Sequence, residues 1–132
     1  IYGDGEQLRN FSDAEGLCDP IERLLTTYDG QLFNIGSDKS YTINQLAEIV
    51  YNIGTEFSGK TGSKIIHSEP RLEVKYAIAS HEKAKTLLGF NDETDLEDLI
   101  GKMFRAADKQ RPFDPYVKKE YEITKNMYSY WK

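Results

Sequence analysis

The sequence predicts a small mixed α/β domain in which helices pack on a short sheet. Its 132 residues are the length of one ordinary domain and can bury one core, while the hydrophobic fraction of 39% suggests a domain that normally packs on something larger. Helix-start signals recur along the chain, whereas the strand-like segments are few and short. The predicted order is a loop, a helix, a strand, a helix, two strands and three helices, which is typical of helices layered on a small sheet.

The first quarter of the chain is predicted to hold a loop, a helix and a strand. Residues 2–11 contain Gly3-Asp4-Gly5 among polar residues, which predicts a loop. Asp19 to Glu22 supplies a helix cap, a proline at the first helical position and a capping-box carboxylate. These signals predict a helix over residues 20–28, with an earlier start at Asp13 left open. Alternation over residues 31–35 predicts a short strand after Gly30.

Most of the predicted helices follow residue 40. Thr42 and Gln45 form a capping box ahead of apolar residues at helical spacing, which predicts a helix. After a loop at residues 58–63, short strands are predicted at 64–67 and 74–78. Ser80 is the predicted cap of a helix that runs through Leu88 and is terminated by Gly89. Thr94 is the predicted cap of a further helix that reaches residue 109. Residues 117–131 have the spacing of an amphipathic helix.

Composition excludes several classes of function. The net charge of −5 provides no positive field for a nucleic acid or an anionic membrane surface. No apolar run approaches the roughly 20 residues that span a bilayer. The single cysteine, Cys18, cannot form an internal disulfide, and His67 and His81 lie too far from it for a metal-ligand motif. We therefore expect no metal and a reducing, cytoplasmic location.

Two motifs in this chain resemble parts of a dehydrogenase site, but we expect neither to bind a dinucleotide or to act in catalysis. Gly3-Asp4-Gly5 lacks the third glycine and the strand-turn-helix context of a dinucleotide fingerprint. Tyr121 and Lys125 match the Tyr-x-x-x-Lys pair that exchanges a proton with a hydroxyl, but the tail is rich in both residue types. Packing is the predicted role of Tyr121, so we expect no catalytic residue here.

Arg9 and Arg71 are the candidate ligand-binding residues, because both stand in predicted loops. A guanidinium can bind two phosphate oxygens at once, so two arginines from separate loops could clamp a diphosphate without a basic patch. The alternative is that both are surface arginines paired with nearby carboxylates.

Four segments in order resemble the C-terminal portion of the NAD-dependent nucleotide-sugar epimerases and dehydratases, which are extended short-chain dehydrogenases. The segments are IYGDGEQLRNF (1–11), FNIGS (33–37), EPRLEVK (69–75) and KAKTLLGF (83–90). Within that family the UDP-glucose 4-epimerases are the most similar group. The resemblance covers residues 1–109 and divides the chain into a substrate-binding domain, 1–109, and an aromatic helical tail, 110–132. Since Ile1-Tyr2-Gly3 is typical of a buried strand entering a turn, we expect the chain to be a fragment.

The resemblance implies a substrate-binding role. In those enzymes the arginines matching Arg9 and Arg71 contact the diphosphate of a sugar nucleotide, and the acid matching Glu73 reaches the ribose. Residues matching Tyr2 and Gly3 lie near the base. The family's Rossmann glycines and catalytic residues lie upstream of the matched part. The resemblance therefore implies that NAD and the catalytic residues belong to the parent enzyme, and we expect this chain alone to bind no NAD.

Departures from the family and open alternatives limit these expectations. Asn10 stands where the family usually has Asp, and Pro20 where it has an uninterrupted helix, so we expect the first helix to be shortened or displaced. The expected partners are a UDP-sugar or related nucleotide sugar, the missing Rossmann domain and, as an open alternative, a second subunit. A sugar-nucleotide 4,6-dehydratase fragment and a noncatalytic interaction module remain alternatives to an epimerase fragment.

Overall fold

The computed structural model describes residues 1–109, and their architecture confirms the predicted mixed α/β class. A three-stranded sheet has the order β2-β1-β3, with β1 antiparallel to β2 and parallel to β3. The strands are β1 (Leu8–Asn10), β2 (Ser40–Thr42) and β3 (Tyr76–Ala77). The helices are α1 (Ala14–Leu24), α2 (Ile43–Ser58), α3 (Glu82–Leu88) and α4 (Leu96–Lys109).

The strands are the elements that the sequence predicts least well. The prediction of a loop throughout residues 2–11 is wrong, because residues 8–10 form the central strand. Of the three predicted strands only that at 74–78 is found, shortened to β3. The strand predicted at 64–67 is wrong, although Tyr2 and Ser68 form an isolated parallel bridge beside it. These strands depend on partners far away in the sequence, which local patterns do not reveal.

The strand predicted at residues 31–35 is also wrong, but the alternation of apolar and polar residues in this segment has a physical basis. Phe33 and Ile35 pack against the buried cluster of Ala84, Leu88 and Phe90. Alternate side chains therefore face the core as predicted, while no neighbouring strand pairs with the backbone.

Helix α1 begins earlier than the predicted position. Asp13 Oδ1 accepts a hydrogen bond from the Glu15 backbone N–H at 3.1 Å and caps the helix, so the capping role predicted for Asp19 is wrong. Pro20 lies inside the helix and is buried. Having no N–H, it leaves the Gly16 carbonyl without its usual helical donor. The helix ends at Leu24, earlier than the predicted residue 28, and is displaced towards the N-terminus.

The other helices predicted within residues 1–109 are confirmed, with changes at two caps. The capping box of Thr42 and Gln45 is present in both directions at the start of α2. His81, not Ser80, occupies the cap position of α3, and Gly89 ends that helix with a φ of +61°. Asp95, which directly precedes α4, accepts a hydrogen bond at its Oδ1 from the Asp98 N–H at 3.0 Å. The Thr94 hydroxyl does not cap α4, because it accepts a hydrogen bond from the distant Asp13 N–H at 3.0 Å.

Two helix pairs bury the apolar side chains. Leu17 and Leu24 of α1 pack against the cluster of Ala84, Leu88 and Phe90. Helix α4 contributes the buried Leu96 and Ile100 to the interior. Its Phe104 ring lies 5.8 Å from that of Phe57 in α2. A Cβ on Gly54 would lie 2.9 Å from the Phe104 ring, so glycine permits the close approach of the two helices.

Tyr121, Lys125 and the predicted tail helix lie outside the described residues. Within residues 1–109 no helix is long and apolar enough to cross a membrane. The cytoplasmic location stays a prediction.

Candidate functional site

A cleft lies between residues 3–7 and residues 69–75. These two stretches run side by side and are paired as parallel strands only at their two ends. At the first point Tyr2 is bridged to Ser68, and the Gly3 N–H donates to the Ser68 carbonyl at 3.0 Å. At the second, Leu8 of β1 pairs with Tyr76 of β3. Between these points residues 3–7 and 69–75 are not paired with each other as strands, and they form the two walls of the cleft.

The turn at residues 3–6 is fixed to the start of helix α2. The Asn44 side-chain amide donates to the Asp4 carbonyl at 2.9 Å and to the Glu6 carboxylate at 2.7 Å. The backbone N–H groups of Ile43 and Asn44 donate to the carbonyls of Gln7 and Gly5. The first N–H groups of α2 are therefore used to hold this wall of the cleft and do not face a ligand.

The cleft has a volume of about 610 Å³ and a mixed lining. Three acidic side chains, two basic ones and an imidazole share it, so a ligand would meet both positive and negative groups. Its lining residues are Gly3, Asp4, Gln7, His67, Ser68, Glu69, Pro70, Arg71, Glu73 and Lys75.

Arg71 lies at the centre of the most connected group of side chains in the cleft. Its guanidinium carbon is 3.2 Å from the centroid of the Tyr2 ring, the geometry of a cation–π contact. Its Nε lies 3.7 Å from Glu73 Oε1, and each side chain is about one-third exposed. The segment with Tyr2 and Gly3 and the segment with Arg71 and Glu73, predicted as parts of one site, are thus brought together.

Arg9 does not line this cleft. It lies on β1, where its Nη1 donates to the Leu8 carbonyl at 2.7 Å and approaches the Lys75 carbonyl at 3.5 Å. Since Lys75 belongs to the cleft wall, Arg9 lies behind it and supports its backbone. Direct contact of Arg9 with a ligand stays a prediction.

Gln7, His67 and Lys75 also line the cleft, although the sequence motifs do not predict them as site residues. His67 Nδ1 donates to the Gly3 carbonyl at 2.8 Å, because a carbonyl can only accept. Gln7 Nε2 donates to the Tyr2 carbonyl at 3.0 Å. Gln7 and Lys75 stand inside the segments that carry the family resemblance, and that position is the one signal that could have identified them.

A second cleft, between α1 and α4, has the wrong charge for an anionic nucleotide. Lys102 Nζ lies 2.8 Å from Asp13 Oδ2, and this contact, with the Glu15 N–H, holds the pKa of Asp13 below its usual range. Most of the remaining charged side chains that line the cleft are acidic: Glu15, Asp19, Asp92, Glu93, Asp95 and Asp98. The cleft around Arg71 is therefore the candidate nucleotide site.

Gly3 and Gly5 do not stand in the context of a dinucleotide fingerprint. The pair Gly3 and Gly5 leads through a turn into β1, whereas a dinucleotide fingerprint leads into a helix whose N-terminus receives the pyrophosphate. No cluster of three or more metal-ligating side chains occurs within the described range.

Solved structures of sugar-nucleotide enzymes have the same fold. UDP-glucose 4-epimerase from Thermotoga maritima, solved with UDP-glucose, superimposes with a TM-score of 0.70 and 26% identity, covering 83% of this chain and 34% of that protein. UDP-glucuronic acid 4-epimerase from Bacillus cereus, solved with UDP-glucuronic acid and NAD, gives a TM-score of 0.64 and 25% identity over 82% of this chain and 34% of that one. The chain is related to the nucleotide-sugar epimerases and dehydratases.

The sequence comparison agrees with this relationship. UDP-glucuronic acid decarboxylase 2 of Arabidopsis thaliana is 28% identical over 118 residues, which are 86% of this chain and 24% of that protein. No family model matches the chain. The predicted resemblance to nucleotide-sugar epimerases and dehydratases is confirmed, and the chain spans only about a quarter to a third of these relatives.

Proposed function

We propose that this chain is the substrate-binding part of an NAD-dependent nucleotide-sugar epimerase and orients the sugar nucleotide through its diphosphate. The observation that carries the proposal is the contact between Tyr2, near the start of the chain, and Arg71, which lines the cleft beside Glu73 far along the sequence. The enzymes with this fold include one solved with UDP-glucose and one solved with a UDP-sugar and NAD.

The chemistry of the cleft suits a nucleoside diphosphate in a defined orientation. Arg71 and Lys75 supply the positive charge for the phosphates, while the Glu73 carboxylate can accept hydrogen bonds from ribose hydroxyls. Stacking on Tyr2 restricts the guanidinium of Arg71, which lowers the entropy that ordering this side chain would cost on binding. Tyr2 and Gly3 lie on the side of the cleft that we assign to the base.

In this proposal NAD and the catalytic residues belong to a Rossmann domain elsewhere in the parent protein. Binding energy from this part positions the sugar for oxidation and return of the hydride, which raises the rate by orientation. The parent is then an enzyme, in which this chain supplies the binding energy for the sugar nucleotide. A 4,6-dehydratase parent would use the same cleft, because the choice of reaction depends on residues outside this chain.

Replacement of Arg71 tests the proposal directly. In the full-length protein that contains this chain, Arg71→Ala should weaken UDP-glucose binding by about 2–3 kcal/mol, the scale of a charge-assisted contact, with a smaller effect on NAD. Isothermal titration calorimetry gives the affinity, and steady-state kinetics gives the KM. Arg105→Ala is the matched control, since Arg105 is exposed on α4 outside the cleft.

The kinetic results also separate the proposal from its alternatives. If KM stays unchanged in both Arg9→Ala and Arg71→Ala, the two arginines are surface residues and the proposed function is wrong. If KM rises but the product is a 4-keto-6-deoxy sugar, the binding role holds and the parent is a dehydratase.

A further inference from the structure

An apolar groove runs along one face of α2, and none of its lining residues belongs to the Arg71 cleft. Ile65, Ile66 and Phe104 also line this α2 groove, whose volume is about 520 Å³. The α2 residues in its lining recur at the spacing of a single helical face: Ala47, Val50, Tyr51, Gly54, Thr55 and Ser58. The groove therefore follows the helix for about 16 Å, at a rise of about 1.5 Å for each residue.

The α2 groove is open to solvent although its lining is mainly apolar. Val50 and Tyr51 are each 37% exposed, Ile65 41% and Ile66 66%. Its charged lining residues are two lysines, Lys60 and Lys64, and no acidic side chain lines it in the part of the chain that the structure describes. Apolar surface of this kind is stabilised when a second apolar surface covers it. An occupant must therefore present apolar or aromatic side chains.

Residues 110–132 continue the chain from a point close to the α2 groove. Helix α4 ends at Lys109, five residues after Phe104, which is about 8 Å along the helix axis. The Phe104 ring lies 5.8 Å from that of Phe57, so this end of α4 lies beside the last turns of α2. Even at the rise of a helix, the residues 117–131 would cover about 22 Å, which is more than the length of the groove.

The sequence of residues 110–132 matches what the groove requires. Four of the nine tyrosines and the single tryptophan of the chain lie within residues 116–131. The apolar and aromatic residues at the spacing of one helical face, called here the aromatic face, are Val117, Tyr121, Tyr128 and Trp131. Glu120 falls beside the aromatic face and provides a carboxylate that can pair with a lysine of the groove.

We propose that residues 110–132 dock in the α2 groove of the same chain through the aromatic face. Burial of the large rings stabilises the docked segment. Docking also holds the groove's other lining segment on α2, and that segment is bonded to the start of the chain. The Ile1 nitrogen donates to the Ile66 carbonyl at 2.7 Å, and the Ser68 N–H donates to the Ile1 carbonyl at 2.7 Å. The docked segment therefore stabilises one paired end of the Arg71 cleft, whatever ligand that cleft binds.

Hydrogen exchange followed by mass spectrometry tests the proposal in the full-length protein that contains this chain. Amides in residues 117–131 should exchange at least about tenfold more slowly than those of an unstructured chain, because a docked segment opens less often. Val50→Glu places a charge in the groove, where burial is unfavourable, and should raise that exchange rate about tenfold. Val74→Glu makes the same change at an exposed valine outside the groove and should leave the rate unchanged.

Two further variants complete the test. Ile65→Glu places the charge on the other lining segment of the groove and should have the same effect as Val50→Glu. It serves as the test variant if Val50→Glu does not fold, and circular dichroism confirms the folding of each. Removal of residues 110–132 should raise the exchange rate in residues 47–58 and 64–66, because the groove loses its cover.

Three results would overturn the proposal. Unprotected amides in residues 117–131 of the unaltered protein, or unchanged exchange there in folded Val50→Glu and Ile65→Glu, would show that the segment does not dock in the groove. Unchanged protection of the groove after removal of residues 110–132 would show that another part of the parent protein covers it. Protection that falls on dilution, with a dimer in sedimentation, would show that the groove takes the segment of a second copy.

Discussion

Gly5→Ala is expected to destabilise the turn that forms one wall of the cleft, for two separable reasons. Gly5 has a φ of +74°, a conformation that costs an L-residue about 1–2 kcal/mol. A Cβ at this position would also lie 2.0 Å from Asn44 Oδ1, far inside contact distance. Asn44 would have to move, and its hydrogen bonds to the Asp4 carbonyl and the Glu6 carboxylate would be lost.

The expected loss follows from adding these two effects. Two hydrogen bonds at about 0.5–1.5 kcal/mol each, together with the backbone strain, give about 2–5 kcal/mol in the free energy of unfolding. Urea denaturation followed by circular dichroism measures this difference. The Arg71 cleft should also bind UDP less tightly, because its wall at residues 3–7 is no longer held on α2.

Gly30→Ala is the matched control. Gly30 has a φ of +69°, close to that of Gly5, but a Cβ there would meet nothing within 4 Å. It should therefore show only the strain of about 1–2 kcal/mol. In an Asn44→Ala background, Gly5→Ala should cost no more than Gly30→Ala. The steric explanation is wrong if Gly5→Ala and Gly30→Ala are equally destabilising in the unaltered protein.

Two further predictions concern the helices. Thr42→Ala should lower the free energy of unfolding by about 1 kcal/mol, because it removes the acceptor for the Gln45 N–H, and a melting temperature equal to that of the unaltered protein would contradict this. Lys102→Met should raise the pKa of Asp13 towards its ordinary value of 3.8, since Lys102 is the largest cause of the lowered pKa. Because the pKa of Asp13 is lower in the folded protein than in the unfolded one, the ionised carboxylate stabilises the native state at a pH above the unfolded-state pKa. This stabilisation is lost as the pH falls through the folded-state pKa. A carboxyl ¹³C titration of Asp13 measures the shift, and an unchanged pKa would exclude Lys102 as its cause.

The sequence predicts the helices well because their signals are local. Thr42 and Gln45 lie three residues apart and form both hydrogen bonds of the capping box without help from distant residues. Gly89 ends α3 as predicted because the left-handed conformation there favours glycine. Asp19 and Pro20 carry a similar local signal, but the cap at Asp13 and the burial of Pro20 determine the observed start.

Features set by distant residues were harder to predict. Strand β1 is three residues long and exists because residues 40–42 and 76–77 pair with it on either side. Of the predicted site residues, Tyr2, Arg71 and Glu73 come together, but the sequence does not show that Tyr2 lies beneath the guanidinium. Nor does it show that Gln7 reaches Glu73, because that contact joins residues 66 positions apart.

The two walls of the Arg71 cleft differ in length. Five residues lie between Tyr2 and Leu8, whereas seven lie between Ser68 and Tyr76, although both stretches connect the same two pairing points. The longer wall cannot stay in register with the shorter one, and Leu72 within it is fully exposed. Insertions or deletions within residues 69–75 would then reshape the opening without shifting the sheet, since doubling a loop costs only about 0.6 kcal/mol. Changes within residues 69–75 would therefore alter the shape of the cleft, while residues 3–7 stay held on α2.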